Sequence, residues 1–309
     1  MPKVTVIIPT YRRPGFLKKA IQSVFDQTFQ DFEIIVVDDA SGDNTGELIK
    51  SINDGRLRYI CHAKNSGGST ARNTGIEAGR GTYIAFLDDD DEWFPRKLEL
   101  QVKLLDACFG KVGVIYTGSV LVDADNGKVL RQKTPYYKGN LTRALLTRNI
   151  IGTTSSVLIR KECFSEVGGF DGTLPSYQDY DMWIRLSRKF HFEIIKEPLV
   201  KYHVHDRKIW SNLEVLKEGL ALMLKKYECN ACTFKKTFGY YGYLDLGMRY
   251  CLNRELQNGK DAFVRAIRLY PFGLQPYFQF CLTLLGADTF KKVVDMKKRI
   301  MTPTRMFAS

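Results

Sequence analysis

The chain has 309 residues, 44% hydrophobic and 26% charged, which is ordinary for a globular enzyme and enough for one large α/β domain with an appendage or for two domains. Its net charge of +12 is not ordinary, and it indicates an acidic partner: a phosphorylated substrate, an anionic membrane or a nucleic acid. Nucleic acid is the least favoured, because the basic residues are scattered and no helix-turn-helix, zinc-finger or RNP-type pattern occurs.

The start of the sequence and its cysteines predict a cytoplasmic protein. A strand-like run begins after three residues, so we expect no secretory signal. Seven cysteines, an odd number, are typical of reduced thiols in the cytosol. Cys229 and Cys232 form a C-x-x-C pair without a second pair or a nearby histidine, which favours helix packing over a zinc site.

The first part of the chain alternates strands and helices. Apolar, β-branched runs of the kind buried in a parallel sheet are separated by segments with helical i, i+3, i+4 spacing. The predicted strands are residues 4–8, 32–37, 57–60 and 82–87. This alternation predicts a parallel, doubly wound sheet, in which ligands bind beyond the carboxyl ends of the strands.

Four acids follow the fourth predicted strand: Asp88, Asp89, Asp90 and Asp91. Because an unpaired buried charge is costly, we expect these carboxylates where the chain opens to solvent or to a ligand. They suit Mg²⁺ or Mn²⁺, which binds one or two carboxylates together with the oxygens of a diphosphate. The alternative is a solvated acidic turn.

Two other classes of phosphate-binding enzyme are disfavoured. No G-x-G-x-x-G follows the first strand and no GK[ST] loop is present, which argues against a nicotinamide enzyme and a P-loop kinase. A nucleotide site built from acids and one arginine needs a metal ion to reconcile carboxylates with phosphates.

Residues 1 to about 210 resemble the family 2 glycosyltransferases, which have the GT-A fold. The resemblance rests on four fragments in the right order and spacing: VTVIIPTYRR, VVDDASGDNT, NSGGSTARNTGI and FLDDDDEW, the last of which carries the Asp-x-Asp motif. It implies an α/β, Rossmann-like and mostly parallel sheet, and inverting transfer of a sugar from a nucleoside-diphosphate donor.

The same resemblance implies roles for single residues. The residue matching Asp39 bonds the uracil ring, that matching Tyr11 packs on the base, and that matching Arg72 lies near the base and phosphates. Asp88 and Asp90 are the Asp-x-Asp pair, and Asp90 is the favoured direct metal ligand. The extra acid between them leaves the ligand register open by one position. The candidate donor-binding residues are Pro9, Thr10, Tyr11, Asp39, Asn65, Arg72, Asp88 and Asp89.

The second half changes pattern. Asn126-Gly127 between two strand-like runs predicts a hairpin, and residues 155–159 are a further predicted strand. The parallel pattern ends, so we expect an acceptor-binding half from about residue 106. Acids at a helix start are often only caps. Family 2 enzymes, however, carry a Glu-Asp pair here whose Asp is the general base, and Gln178-Asp179 matches it, with Asp181 as the alternative if the register slips.

Histidine and basic residues follow the last predicted strand. His205 is a candidate third metal ligand by resemblance, or else a surface loop histidine. Arg207, Lys208 and Trp210 are placed to close over a diphosphate as a lid.

Beyond residue 211 the family motifs stop and helical spacing predicts an all-α appendage. We therefore expect a nucleotide-sugar half (1–105), an acceptor half (106–211) and a helical appendage (212–309). Residues 269–287 carry no charge, but Pro271, Gly273 and Pro276 interrupt them, which argues against a transmembrane span.

A basic cluster follows this charge-free segment, and two interpretations stay open. The cluster consists of Lys291, Lys292, Lys297, Lys298 and Arg299. One is peripheral contact with anionic lipid at the inner face of the plasma membrane, because apolar area and cationic charge add there. The alternative is a packed helical layer or a homo-oligomer interface with a solvated charged face.

The predicted function is inverting transfer of a hexose or N-acetylhexosamine, with UDP-sugar the preferred donor, to a hydroxyl of a surface polysaccharide, teichoic acid or lipid-linked glycan. Asp179 would take the hydroxyl proton, and Mn²⁺ or Mg²⁺ would neutralise the departing diphosphate. One alternative is a sugar nucleotidyltransferase, although Pro9-Thr10-Tyr11 stands where its glycine-rich loop is expected. The other is a non-catalytic nucleotide- or sugar-binding scaffold.

Overall fold

The computed structural model describes residues 1–205, 212–227 and 232–301. The chain divides into two compact units, Met1–Leu145 with Asn149–Lys208, and Leu146–Arg148 with Ile209–Ser309. Several predictions fall outside the described residues: the lid residues Arg207, Lys208 and Trp210, Cys229, and the side chains of Cys232, Lys297, Lys298 and Arg299.

One mixed sheet of nine strands dominates the described part of the first unit. The strands are β1 (Val4–Thr10), β2 (Phe32–Asp38), β3 (Leu57–Cys61), β4 (Tyr83–Phe86), β5 (Glu92–Trp93), β6 (Val112–Asp123), β7 (Val129–Lys133), β8 (Val157–Arg160) and β9 (His191–Val204). Their order is β3-β2-β1-β4-β8-β6-β9-β5, with β7 paired to β6. Because β1 to β4 pair in parallel, the parallel sheet predicted for the first half is present.

The second half of the sheet departs from two predictions. β8 is antiparallel to both β4 and β6, yet β6 and β9 pair in parallel, so the parallel pattern does not simply end near residue 106. The strand expected at 155–159 begins only at Val157, because Thr154–Ser156 forms a 3₁₀ turn. The Thr153 side chain accepts a hydrogen bond from the Ser155 amide and so caps this turn. The Asn-Gly hairpin joins β6 to antiparallel β7 as predicted.

Helices cover the sheet of the first unit. They are α1 (Pro14–Phe25), α2 (Thr45–Lys50), α3 (Gly68–Ala78), α4 (Lys97–Ala107), α5 (Thr142–Leu145), α6 (Glu162–Val167) and α7 (Gln178–Lys189). α1 starts with Pro14 in its first turn, where the missing amide hydrogen costs nothing. Its apolar side chains Leu17, Ile21 and Val24 enter the buried core with β1 and β2.

The regular secondary structure in the described part of the second unit is all α-helical. Its helices are α8 (Leu213–Lys226), α9 (Cys232–Leu252), α10 (Leu256–Leu269), α11 (Leu274–Leu284) and α12 (Ala287–Met301). A separate core forms around Leu244, Phe263 and Phe290. The predicted helical C-terminal region is thus present. Among the helices described, none combines the length and the apolarity that crossing a bilayer requires.

Candidate active site

The carboxyl ends of the parallel strands gather most of the predicted donor-binding residues. Pro9 and Thr10 are the last residues of β1, and the Thr10 carbonyl accepts a hydrogen bond from the Asp39 amide at 3.0 Å, which joins the ends of β1 and β2. Arg12 and Ala40, which follow these two strands, have φ of 56° and 63°. Such left-handed residues are costly and concentrate where a site demands a particular backbone path.

Asp39 is buried and organises the loop before α3. Its carboxylate accepts hydrogen bonds from the amides of Ser66 and Gly67, at 2.8 and 2.7 Å, and contacts His62 Nδ1 at 2.8 Å. Asn65 lies exposed in the same loop. The side chain predicted to bond uracil therefore also fixes the entrance of the helix that carries Arg72.

Tyr11 is the accessible aromatic residue of this edge, with 38% of its surface exposed. The Arg12 guanidinium lies 5.0 Å from the centre of its ring. Cations favour the faces of aromatic rings, so Arg12 helps to orient the side chain. An exposed, oriented ring at a strand end can stack on a nucleotide base.

The acidic turn after β4 is more enclosed than the sequence predicts. We expected all four carboxylates to open to solvent or a ligand, but Asp89, Asp90 and Asp91 are no more than 5% exposed. Burial is tolerated because each carboxylate has hydrogen-bond partners, which offset the loss of water. Only Asp88, which is half-buried, has the accessibility that we expected of all four.

Asp89 and Asp90 share the cation of Arg13. The Arg13 Nη1 atom lies 3.3 Å from Asp89 Oδ1 and 2.9 Å from Asp90 Oδ2, and the Thr10 hydroxyl donates to Asp89 at 2.8 Å. Burial and the neighbouring Asp90 raise the pKa of Asp89 to about 6, although Arg13 and Thr10 act against this shift.

Asp88 and Asp91 are held by a run of hydroxyl residues before β8. The Ser155 hydroxyl donates to Asp91 Oδ2 at 2.7 Å and accepts from the Asp88 amide at 3.1 Å. Thr154 donates to the Asp88 carboxylate at 3.0 Å, and Arg72 Nη2 donates to the same carboxylate at 2.7 Å. The acidic turn is therefore fixed at both ends.

Asp90 and His205 are the two predicted metal ligands that the fold brings together. His205 Nε2 lies 2.8 Å from Asp90 Oδ2, and the imidazole stacks on Phe16 of α1, with 5.6 Å between ring centres. An oxygen and an imidazole nitrogen at one point fit a divalent ion that takes its other ligands from a diphosphate. Within the described residues, no three His, Cys, Asp or Glu side chains converge as a metal site, so Asp88 does not join this pair here.

Asp179, the predicted base, lies half-buried at the start of α7. Its carboxylate accepts hydrogen bonds from the Tyr180 amide at 2.7 Å and from Asn149 Nδ2 at 3.3 Å. Tyr177, at the N-cap position of the helix, has a left-handed φ of 63°. Backbone strain of this kind persists only where the surrounding structure enforces it, and here it lies two residues before Asp179.

Burial raises the pKa of Asp179 to about 6, because the charged form loses solvation. The Tyr180 amide, the Arg72 cation and Asn149 act against this rise, whereas the Asp88 charge adds to it. The charges of Arg72 and Asp88, two residues of the predicted donor site, therefore act on the Asp179 carboxylate. The fold thus brings the predicted base close to these two residues.

Asp181, the alternative base, has a structural environment. It is fully buried, and its carboxylate accepts a hydrogen bond from Arg185 Nε at 2.8 Å. Arg185 in turn donates to the carbonyls of Val167 and Gly169. Asp181 thereby holds the end of α6 against α7, which favours Asp179 as the reactive carboxylate.

Several contacting residues were not predicted. They are Arg13 on the acids, His62 on Asp39, Phe16 on His205, Asn149 on Asp179, and Ser155 on the acidic turn. Arg13 lies inside the first family fragment, and the run of four hydroxyl residues at 153–156 directly precedes a strand. Those two signals were available in the sequence, whereas the positions of Phe16 and Asn149 depend on the fold.

Comparison with known proteins gives one family. Residues 5–168 match the family described as "Glycosyl transferase family 2". An "Uncharacterized glycosyltransferase" of Rickettsia felis is 36% identical over 66% of this chain and 34% of its own length. The Escherichia coli enzyme "UDP-Glc:alpha-D-GlcNAc-diphosphoundecaprenol beta-1,3-glucosyltransferase WfgD" is 30% identical over 68% of this chain and 80% of its own length. The chain spans about a third of the length of the first curated relatives it matches.

Solved structures share the fold. S. aureus TarS 1-349 in complex with UDP superposes with a TM-score of 0.63 and 19% identity, over 99% of this chain and 94% of that one. The mannosyltransferase PcManGT from Pyrobaculum calidifontis, in complex with GDP-Man and Mn²⁺, gives a TM-score of 0.62 and 18% identity, over 96% and 84% of the two chains. The GT-A fold predicted from the motifs is confirmed.

Proposed function

This chain belongs to glycosyl transferase family 2, and from that premise we propose that it moves a sugar from a UDP-sugar to an acceptor hydroxyl of a cell-surface glycan, with inversion at the anomeric carbon. The observation that carries the proposal is the position of Asp179. This half-buried carboxylate, with its pKa raised to about 6, lies within the electrostatic influence of Arg72 and Asp88. Such an arrangement supports proton transfer beside a bound donor.

Asp179 is the proposed general base. A hydroxyl is a weak nucleophile at neutral pH, so a carboxylate that accepts its proton during attack lowers the barrier. A pKa near 6 leaves Asp179 ionised at pH 7 yet more basic than an ordinary aspartate. Attack from the side of Asp179, opposite the leaving diphosphate, inverts the configuration at the anomeric carbon.

Tyr11, Asp39 and Arg72 are the proposed nucleotide-binding residues, together with Pro9, Thr10, Asn65, Asp88 and Asp89. Tyr11 offers its exposed ring to the base, and Arg72 offers a cation beside the phosphates. Uracil is the proposed nucleobase of the donor, because the E. coli relative is named for UDP-Glc and a TarS structure holds UDP. A screen of UDP-sugars distinguishes a hexose donor from an N-acetylhexosamine donor.

Mn²⁺ or Mg²⁺ is the proposed cofactor. Asp90 and His205 would hold the ion, with Asp88 as the second acid of the motif. When bound, the ion supplies positive charge to the departing diphosphate. The Mn²⁺ in the PcManGT structure supports this choice. Arg13 keeps the neighbouring carboxylates in place by sharing its cation between Asp89 and Asp90.

The test is calorimetric titration of UDP into the wild type and Asp90→Ala, each with and without Mn²⁺. We expect wild-type binding that needs the ion and is lost in the variant. Asp54→Ala is the control. It removes a carboxylate that pairs with Arg56 outside the candidate site, and this variant should bind UDP as the wild type does. If neither the wild type nor any variant binds UDP, GDP or dTDP, the proposal of a nucleotide-sugar site is contradicted.

The proposed base is tested by Asp179→Asn, which keeps the size of the side chain and removes its basicity. We expect turnover to fall by about 10²-fold to 10⁴-fold while UDP affinity stays unchanged. Asp171→Asn is the matched control, because it changes another half-buried aspartate, in the loop before α7. Full turnover by Asp179→Asn would move the base elsewhere. A wild type that neither transfers nor hydrolyses any UDP-sugar would favour the non-catalytic scaffold.

A further inference from the structure

α11 turns its apolar side chains outward. Leu274, Tyr277, Phe278, Cys281 and Leu284, which we call the α11 stripe, are all exposed. Their i, i+3, i+4, i+7 and i+10 spacing places them along one helix face. The exposed fractions of Leu274, Phe278 and Leu284 are 81%, 55% and 65%.

The opposite face of α11 is partly polar. It buries Pro276, Gln279, Leu282 and Thr283, and the Gln279 Oε1 atom has no hydrogen-bond partner within the described residues. A helix that faces water normally shows the reverse, with polar residues outside and apolar residues inside. The outward face is therefore suited to an apolar environment.

The apolar surface continues beyond the helix. Tyr270 and Phe272 precede α11 and are 49% and 85% exposed, and Leu285 follows it and is 63% exposed. Exposed apolar side chains that cluster in this way usually mark an interaction site.

Basic residues flank the patch on both sides along the chain. Arg265 and Arg268 lie exposed in α10, and Lys291 and Lys292 lie exposed in α12. The nearest exposed acid in the sequence, Asp288, is paired with Arg254 at 2.9 Å. In sequence, the charge-free segment 269–287 thus lies between two pairs of cations. A surface that is apolar inside and anionic at its boundary would complement it.

We propose that the α11 stripe, together with Phe272, docks on the surface of an anionic lipid bilayer. Apolar side chains entering the acyl boundary and cations held at anionic headgroups contribute additively to such binding. Eleven residues of helix measure about 16 Å, roughly half the hydrocarbon thickness, so α11 lies along the interface. Of the two interpretations that the sequence left open for this region, the proposal therefore adopts lipid contact.

The flanking charge disfavours a second copy of this chain as the occupant. A second copy would bring the same four exposed cations, Arg265, Arg268, Lys291 and Lys292, and two surfaces of like charge repel each other. Anionic headgroups complement the same four cations. The proposal does not rest on the sugar-transfer activity, since it concerns a surface of the second unit alone.

The test is sedimentation of the full chain with vesicles of phosphatidylcholine alone and of phosphatidylcholine mixed with phosphatidylglycerol. We expect binding to the mixed vesicles that weakens with salt. Phe272→Ser should lower the partition coefficient by about tenfold, because a large aromatic ring no longer enters the interface. Lys291→Gln and Lys292→Gln should each lower it about fivefold on mixed vesicles only.

Phe109→Ser is the matched control, because Phe109 is 89% exposed in the first unit. It should bind vesicles as the wild type does, and both phenylalanine variants should keep the wild-type unfolding temperature. Equal binding by Phe272→Ser and Phe109→Ser overturns the proposal. The proposal is also overturned if the wild type does not bind vesicles but forms a dimer in sedimentation velocity, and if Phe272→Ser dissociates that dimer. This outcome would assign the face to a second copy of the chain.

Discussion

At the scale of single residues, Asp179 links burial to a pH dependence. Its pKa is raised to about 6 because the charged form is poorly solvated, and a base acts only when deprotonated. We therefore expect kcat/KM to fall about tenfold per pH unit below about pH 6. Steady-state rates measured from acid to neutral pH check this expectation.

Asp89 could give the same acid limb, since its pKa is also raised to about 6. Asp89→Asn removes that titration, and the midpoint of the limb should stay in place. A midpoint that disappears with Asp89→Asn, or that lies near the ordinary value of an aspartate, would contradict the assignment to Asp179.

Ser155 is the residue on which the acidic turn depends most directly. It is fully buried, its hydroxyl joins Asp91 to the Asp88 amide, and its carbonyl accepts from Trp93 Nε1 at 2.8 Å. Ser156 beside it is equally buried, but its hydroxyl donates to a neutral acceptor, the Thr153 carbonyl, at 2.8 Å. The two serines form a natural comparison.

Ser155→Ala should destabilise the protein by about 2 kcal/mol, because a buried carboxylate loses a donor. Its UDP affinity in Mn²⁺ should fall as the acidic turn shifts. Ser156→Ala loses a neutral hydrogen bond, so about 1 kcal/mol is expected with UDP affinity unchanged. Urea unfolding and calorimetry measure the two effects. Equal UDP affinity in both variants would show that Ser155 does not position the turn.

The sequence predicted candidate site residues but not their surroundings. Strand ends place Asp39, Arg72 and Asp90 on or beside one edge of the sheet, whereas Asp179 was proposed from the family resemblance. Their burial was not predictable, since the partners that permit it lie far along the chain. Ser155, for example, is 64 residues from Asp91.

At the scale of elements, the contact of α3 with β1 depends on a glycine. A Cβ atom at Gly75 would lie 2.4 Å from Ile7 Cγ2, so the helix that carries Arg72 approaches the strand as closely as a side-chain-free residue allows. Packed cores do not accept such an addition without displacement of the backbone.

Gly75→Ala should therefore destabilise the protein by about 1–3 kcal/mol despite the better helix propensity of alanine. Gly15→Ala is the control: a Cβ there meets no atom within 4 Å, and a gain of about 0.5 kcal/mol is expected. Midpoints of urea unfolding measure both changes. A stabilised Gly75→Ala protein would mean that α3 can move away from β1 at little cost.

Periodicity predicted most elements because strand and helix patterns are local properties of the chain. The exceptions are instructive. Ser155 and Ser156 have a strand-like run after them but belong to a capped turn, and the parallel pairing of β6 with β9 joins segments far apart in sequence. Local propensity carries no information about which distant strands pair, so the sheet order required the structure.

At the scale of the whole molecule, the chain has two units with separate cores. The candidate donor-binding, metal-binding and base residues lie in the first unit, and a unit with its own core can fold alone. We expect residues 1–211, the two predicted GT-A halves, to unfold cooperatively and to bind UDP as the full chain does.

The same truncation should lose vesicle binding, because α11 is removed. Calorimetry and sedimentation on the truncated and full chains measure the two properties side by side. A truncated chain that aggregates, or that folds but no longer binds UDP, would mean that the second unit is needed to complete the site and that the boundary near residue 211 does not divide independent domains.

Tyr177 has a practical consequence for anyone who evolves this protein in the laboratory. Its left-handed φ of 63° is one that glycine adopts freely and tyrosine does not. A selection for heat resistance alone would therefore favour Tyr177→Gly. The glycine would also loosen the turn that precedes Asp179. Libraries that include this position should be ranked on turnover first and on half-life second, because the two scores are expected to oppose each other there.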